Sequence, residues 1–119
     1  MTELSTIQKR EKLNKVFRRD ELGPGSGYHD YVIARADTQE IILAVPFQKG
    51  PRAADFSRQG VLDCDLMEIV RDRLKAFQDG PLATKENAKA LKHIEKALEQ
   101  MNKRVENRIK RNVLGTMNK

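Results

Sequence analysis

Arg104 and Arg108 lie one helical turn apart in a stretch, residues 85–112, that holds neither Gly nor Pro. Two guanidiniums on one side of a helix can grip paired phosphates, because each is a planar fork of donors. Asn87 stands near the start of the same stretch, and Phe77 closes the segment before it. An aromatic face, an amide and two guanidiniums suit a base joined to a diphosphate.

No set of residues points to catalysis. Ser5, Ser26 and Ser57 lack a nucleophile-elbow context. His29 and His93 have no second His or carboxylate at ligand spacing and read as surface residues. Cys64 near a helix start reads as a buried, inert thiol rather than an activated one. Asp63, Asp65, Glu68 and Asp72 can in principle hold a hard cation, but helix capping accounts for them more cheaply. Gly23-Pro24-Gly25-Ser26-Gly27 contains Pro and is not followed by Lys-Ser/Thr, so it is no phosphate-cradling loop. No catalytic residue, metal ligand or cofactor is expected.

The elements that position these groups are two helices. Asp79-Gly80-Pro81 stops the first, with Gly80 expected in the left-handed conformation and Pro81 unable to continue. Asp63 or Asp65 opens it, and Asp65 to Glu68 has capping-box spacing. Leu66, Val70, Leu74 and Phe77 line one face. Thr84 caps the second helix. There Leu91, Ile94, Leu98, Met101 and Val105 recur at spacings of three and four, a narrow stripe that suits a helix–helix seam.

Extending that stripe reaches Asn87 at one end and Arg108 at the other. The pattern fits a helix emerging into solvent, and it also fits a shared polar site. The first helix is too short to cover the seam beyond Leu98, which leaves Met101, Val105 and Ile109 without an intramolecular partner. If two copies cross antiparallel at Leu98, Asn87 of one faces Arg108 of the other. A two-fold dimer then builds two equal sites.

One modest domain is expected from 119 residues, 39% hydrophobic and 34% charged, with no Trp. A single cysteine excludes an internal disulfide. No apolar run is long enough for a membrane span, and the N-terminus lacks the apolar core of a signal peptide, so a reducing cytoplasm is the expected compartment. The net charge is +6. Much of it sits in residues 103–119, where Lys103, Arg104, Arg108, Lys110, Arg111 and Lys119 oppose Glu106 alone. An anionic partner follows, polymer or small molecule.

Residues 1–22 are polar, with a weak helical pattern in Leu4, Ile7, Leu13, Val16 and Phe17, so a loose helix or arm is expected. Residues 23–119 then form one domain: sheet and loop over 23–62, helical hairpin over 63–112, tail over 113–119. Tyr31–Ala36 and Glu40–Val45 are the strand candidates, joined at Asp37-Thr38-Gln39. The unbroken run Ile41 to Val45 implies burial on both faces. Arg52 follows in a loop and reads, by itself, as a solvated cation.

Three blocks carry a family resemblance: Phe47-Gln-Lys-Gly-Pro, Leu66-Met-Glu-Ile-Val-Arg-Asp-Arg-Leu-Lys-Ala-Phe-Gln-Asp-Gly-Pro, and Glu86-Asn-Ala-Lys-Ala-Leu with Ile94-Glu-Lys-Ala-Leu-Glu-Gln-Met-Asn-Lys-Arg. Over roughly Tyr28 to Lys119 the chain resembles the Thoeris anti-defence family of phage sponges. Its hairpin is similar to that of the anti-CBASS sponges. The resemblance implies a protein of the host bacterial cytoplasm that captures a cyclic ADP-ribose isomer intact and starves an immune effector. Some members also bind cyclic oligonucleotides. It implies ligand contacts at Phe77, Asn87, Arg104, Arg108 and Arg52. Lys49, Leu82 and Thr84 depart from the family pattern, and the last two flank the expected base pocket.

The fold expected is therefore α+β: a small antiparallel sheet, then a helical hairpin with one long C-terminal helix, assembled as a homodimer or higher homo-oligomer. The expected function is sequestration of a cyclic ADP-ribose-type signal, without enzymatic activity. The rivals are a basic helical module that binds DNA or RNA and a virion-associated structural protein. Aromatics at 5% and the helix carboxylates Glu95, Glu99 and Glu106 speak against the nucleic-acid reading.

Overall fold

A computed structural model describes residues 1–119. The chain divides into two compact units, Met1–Val61 and Leu62–Lys119.

The first unit is a four-stranded antiparallel sheet in the order β1 (Thr2–Glu3), β2 (Asn14–Arg18), β3 (Asp30–Arg35), β4 (Ile41–Pro46). Residues 1–22 thus supply two strands rather than a helix or arm. The reason is pairing: Val16 and Phe17 stand opposite Ile33 and Val32, and that non-local ladder outweighs a weak helical spacing. Gly23–Gly27 becomes a turn between β2 and β3 inside this unit. Val32, Ala34 and Val45 are its buried apolar side chains. Tyr31, opposite Val45, packs edge-on to Phe47 with ring centroids 5.5 Å apart.

β4 corrects the expectation of two-sided burial. It is the edge strand, and Ile41, Ile42 and Leu43 are about half exposed, Ile42 at 56%. The register jumps from Ile33↔Leu43 to Ala34↔Ile41, so Ile42 has no partner on β3. Such a bulge disrupts the ladder at an edge that is otherwise open to a neighbouring strand.

After β4 the chain returns alongside itself. Phe47 pairs parallel with Val61, and a side chain at Gly60 would run into the Pro46 carbonyl. Arg58 secures the loop, its Nη2 donating to the Phe47 carbonyl at 2.8 Å and its Nη1 lying 3.0 Å from Asp30. His29 is buried at 8%, not on the surface as its sequence context suggested. The turn Gly23–Gly27 packs over its ring, and Asp20 accepts the backbone N–H groups of His29 and Asp30.

The second unit is a helical hairpin, α1 (Asp63–Gln78) and α2 (Lys85–Lys110). The Leu62 N–H donates to Asp65 Oδ2 at 2.8 Å, closing the first turn of α1. Asp79 ends α1 in right-handed conformation, and Gly80 does not take a positive φ, so Pro81 is what prevents continuation. The Gln78 side chain bridges the turn, donating to the Thr84 carbonyl at 3.0 Å and accepting its N–H at 3.1 Å. Thr84 then caps α2, its hydroxyl accepting the Asn87 N–H at 3.0 Å.

An ion pair between Arg71 Nε and Glu95 Oε2, 2.9 Å, marks the register of the two helices. At equal rise per residue, the start of α1 reaches about as far along α2 as Lys103. Cover therefore extends past Leu98. Met101 and Val105 are half-buried, and Ile109 alone of the three expected orphans is half exposed. No apolar side chain of the hairpin is fully buried.

Candidate functional site

Phe77 and Asn87 lie at the turn end of the hairpin, joined through the Gln78–Thr84 bridge. The Phe77 ring is 39% exposed. The Arg73 guanidinium stands over it, 5.4 Å from the centroid. That residue escaped the sequence reading, although Arg and Phe at a separation of four on one helix were the available signal. Asn87 is half-buried, its backbone held by Thr84.

Arg104 and Arg108 lie at the other end of α2. Within one chain they do not meet Phe77 and Asn87: 17 residues of helix from Asn87 to Arg104 span about 25 Å. Arg104 is exposed and makes no ion pair within the chain. Arg52 is likewise exposed, in the loop of the sheet unit.

Arg108 is different. It is 7% exposed, and its Nη2 donates to the Val113 carbonyl at 2.9 Å and the Thr116 carbonyl at 3.0 Å. Nε and Nη1 have no partner in the chain yet are not sealed from solvent. The side chain is thus anchored on one edge and open on the other. Sequence periodicity placed Arg108 on the seam but gave no sign of the tail that holds it.

The acidic residues at the start of α1 do not converge. No group of three or more His, Cys, Asp or Glu side chains is placed to hold a metal ion. Cys64 is half-buried and unpaired, and His93 is exposed. No helix is long and apolar enough to cross a membrane.

What the hairpin presents is an aromatic ring and an amide at one end and two guanidiniums at the other. Such groups suit stacking and hydrogen bonding to an anionic ligand. The family model described as Acb2/Tad1, hairpin domain, matches residues 39–106, which include Arg52, Phe77, Asn87 and Arg104. No curated protein matches the chain.

Proposed function

The chain belongs to the Acb2/Tad1 hairpin-domain family, the phage anti-CBASS and anti-Thoeris sponges that bind immune nucleotides rather than act as enzymes, and on that premise we propose that it sequesters a cyclic ADP-ribose-type signal without cleaving it. In this reading Phe77 stacks on the base and Asn87 hydrogen-bonds beside it. Arg104 and Arg108 hold the diphosphate.

The observation that carries the reading is the free guanidinium of Arg104, one turn from the open edge of Arg108, at the end of a helix that matches the sponge hairpin. Phosphate binding asks for such donors, because charge-assisted bonds in a partly desolvated site are worth most. Since about 25 Å separates the two halves in one chain, one ligand can touch both only if a second copy contributes. An antiparallel pair crossed at Leu98 satisfies this, each copy lending Arg104 and Arg108 to the other's Phe77 and Asn87. A hairpin without a fully buried apolar side chain supports such an assembly, since association would complete its core.

Calorimetric titration with cyclic ADP-ribose isomers tests the proposal. Arg104→Ala is expected to lose about 2–3 kcal/mol of binding through charged hydrogen bonds. Phe77→Ala is expected to lose a comparable amount through stacking and area. Unchanged affinity in both variants would reject the site.

A further inference from the structure

The hairpin does not end with α2. Asn112 takes a positive φ of 56°, and the chain reverses there. The Val113 N–H donates back to the Arg108 carbonyl at 2.9 Å and the Asn112 N–H to the Ile109 carbonyl at 3.0 Å. This is the paired-bond ending in which a left-handed residue, usually Gly and sometimes Asn, folds the chain onto the last helical turn. The reversal brings the next residues over the Arg108 side chain. Thr116 stabilises the reversed segment, its hydroxyl donating to the Val113 carbonyl at 2.6 Å and its N–H to the same oxygen at 3.1 Å.

Two carbonyls, Val113 and Thr116, thus take both hydrogens of Arg108 Nη2. A free arginine side chain loses considerable rotamer entropy when it grips a ligand. Here that ordering is already present in the unliganded chain. The three remaining N–H donors, one on Nε and two on Nη1, are neither partnered nor sealed. A buried cation with one edge tied to main chain and its other donors unpartnered is a half-built anion site.

We propose that residues 113–116 are a positioning element of the binding site: they hold the Arg108 guanidinium so that Nε and Nη1 meet the ligand's phosphate. The inference rests on the sequestration reading above and adds to it a segment beyond the matched hairpin. Arg104, with no such support, supplies the adaptable cation and Arg108 the fixed one.

Three variants are titrated with cyclic ADP-ribose isomers, with helix content checked by circular dichroism. Deletion of residues 113–119 is expected to weaken binding about tenfold or more, the scale of one well-placed charged hydrogen bond. Thr116→Val weakens it in the same direction and Thr116→Ser restores it. In an Arg108→Ala background the deletion adds nothing, because the tail acts through Arg108. Equal loss on deletion with and without Arg108 would mean a merely structural tail and overturn the proposal. So would full affinity in the deletion variant while Arg104→Ala and Phe77→Ala are impaired, an outcome that leaves the sequestration reading standing. A ligand-independent readout stands beside these: nitrogen-15 NMR of the Arg108 guanidinium. Slow rotation about the Cζ–Nη2 bond is expected in the full chain and fast rotation after deletion. Fast rotation in both sinks the positioning role whatever the ligand.

Discussion

Arg71 and Glu95 meet at 2.9 Å across the hairpin, each about 38% exposed, with Glu68 as a second acceptor for the same guanidinium at 3.2 Å. The pair marks how far along α2 the first helix lies, and hence which seam residues stay uncovered. The guanidinium's own proton is held more firmly than usual, first by the bond to Glu95 and then by that to Glu68.

A double-mutant cycle over Arg71→Ala and Glu95→Ala is expected to give only a small coupling, because solvent screens a pair this exposed. Urea denaturation measures it. A coupling near zero would mean that apolar packing alone sets the register.

Gln78→Ala removes both hydrogen bonds that close the turn at Thr84. A loss of about 1–2 kcal/mol is expected, at the lower end because the site is exposed. Gln78→Glu keeps the acceptor for the Thr84 N–H but not the donor, and should fall between. Denaturant midpoints that do not shift would show that Pro81 suffices to form the turn.

Asp20 contributes to the acid stability of the sheet unit beside Asp37, whose carboxyl the Arg35 guanidinium holds down to about 2. Burial pushes its carboxyl up, but the N–H groups of His29 and Asp30 outweigh this and hold it below its ordinary 3.8. A carboxylate lowered by folding contributes stability that is complete above the unfolded value and lost as pH falls through the folded one. This contribution should therefore hold from neutral pH down to about 5 and be lost progressively below. Asp20→Asn should flatten that decline and cost about 1–3 kcal/mol at neutral pH, since two donors lose a charged acceptor. Urea midpoints measured from pH 7 to pH 2.5 decide it; a parallel fall in both proteins would contradict the assignment.

Ile109 lies half exposed on the seam. If copies pair through this seam as proposed, Ile109→Asp leaves helix content intact and shifts sedimentation toward the single chain, because a charge buried at an apolar seam has no partner. Sedimentation that is the same for both proteins would contradict pairing through this seam.

The hairpin was legible because its signals are local. Pro81 stops a helix, Thr84 starts one, and both act within a turn of themselves. The antiparallel α+β character was legible for β3 and β4 by the same reasoning. β2 was not, since Val16 and Phe17 become a strand only through Ile33 and Val32, far along the chain. The apolar run Ile41 to Val45 misled because strand composition cannot tell an edge from a centre. His29 burial had no local signal, as Asp20 and the glycine turn enclose it from a distance. For the candidate site, the residue types at Phe77, Asn87 and Arg104 were visible as spacing on a helix. The anchoring of Arg108 was not, although Asn112 after a basic last turn marks a left-handed ending in principle.

Sequestration as proposed means capture of an intact cyclic ADP-ribose-type nucleotide. The protein is exposed to a nucleotide mixture that contains cyclic ADP-ribose isomers, washed and heated, and the released material is identified by mass spectrometry. The account predicts recovery of an unmodified cyclic ADP-ribose isomer from the wild type and little from Arg104→Ala. Recovery of linear ADP-ribose, or equal recovery from both proteins, would contradict it.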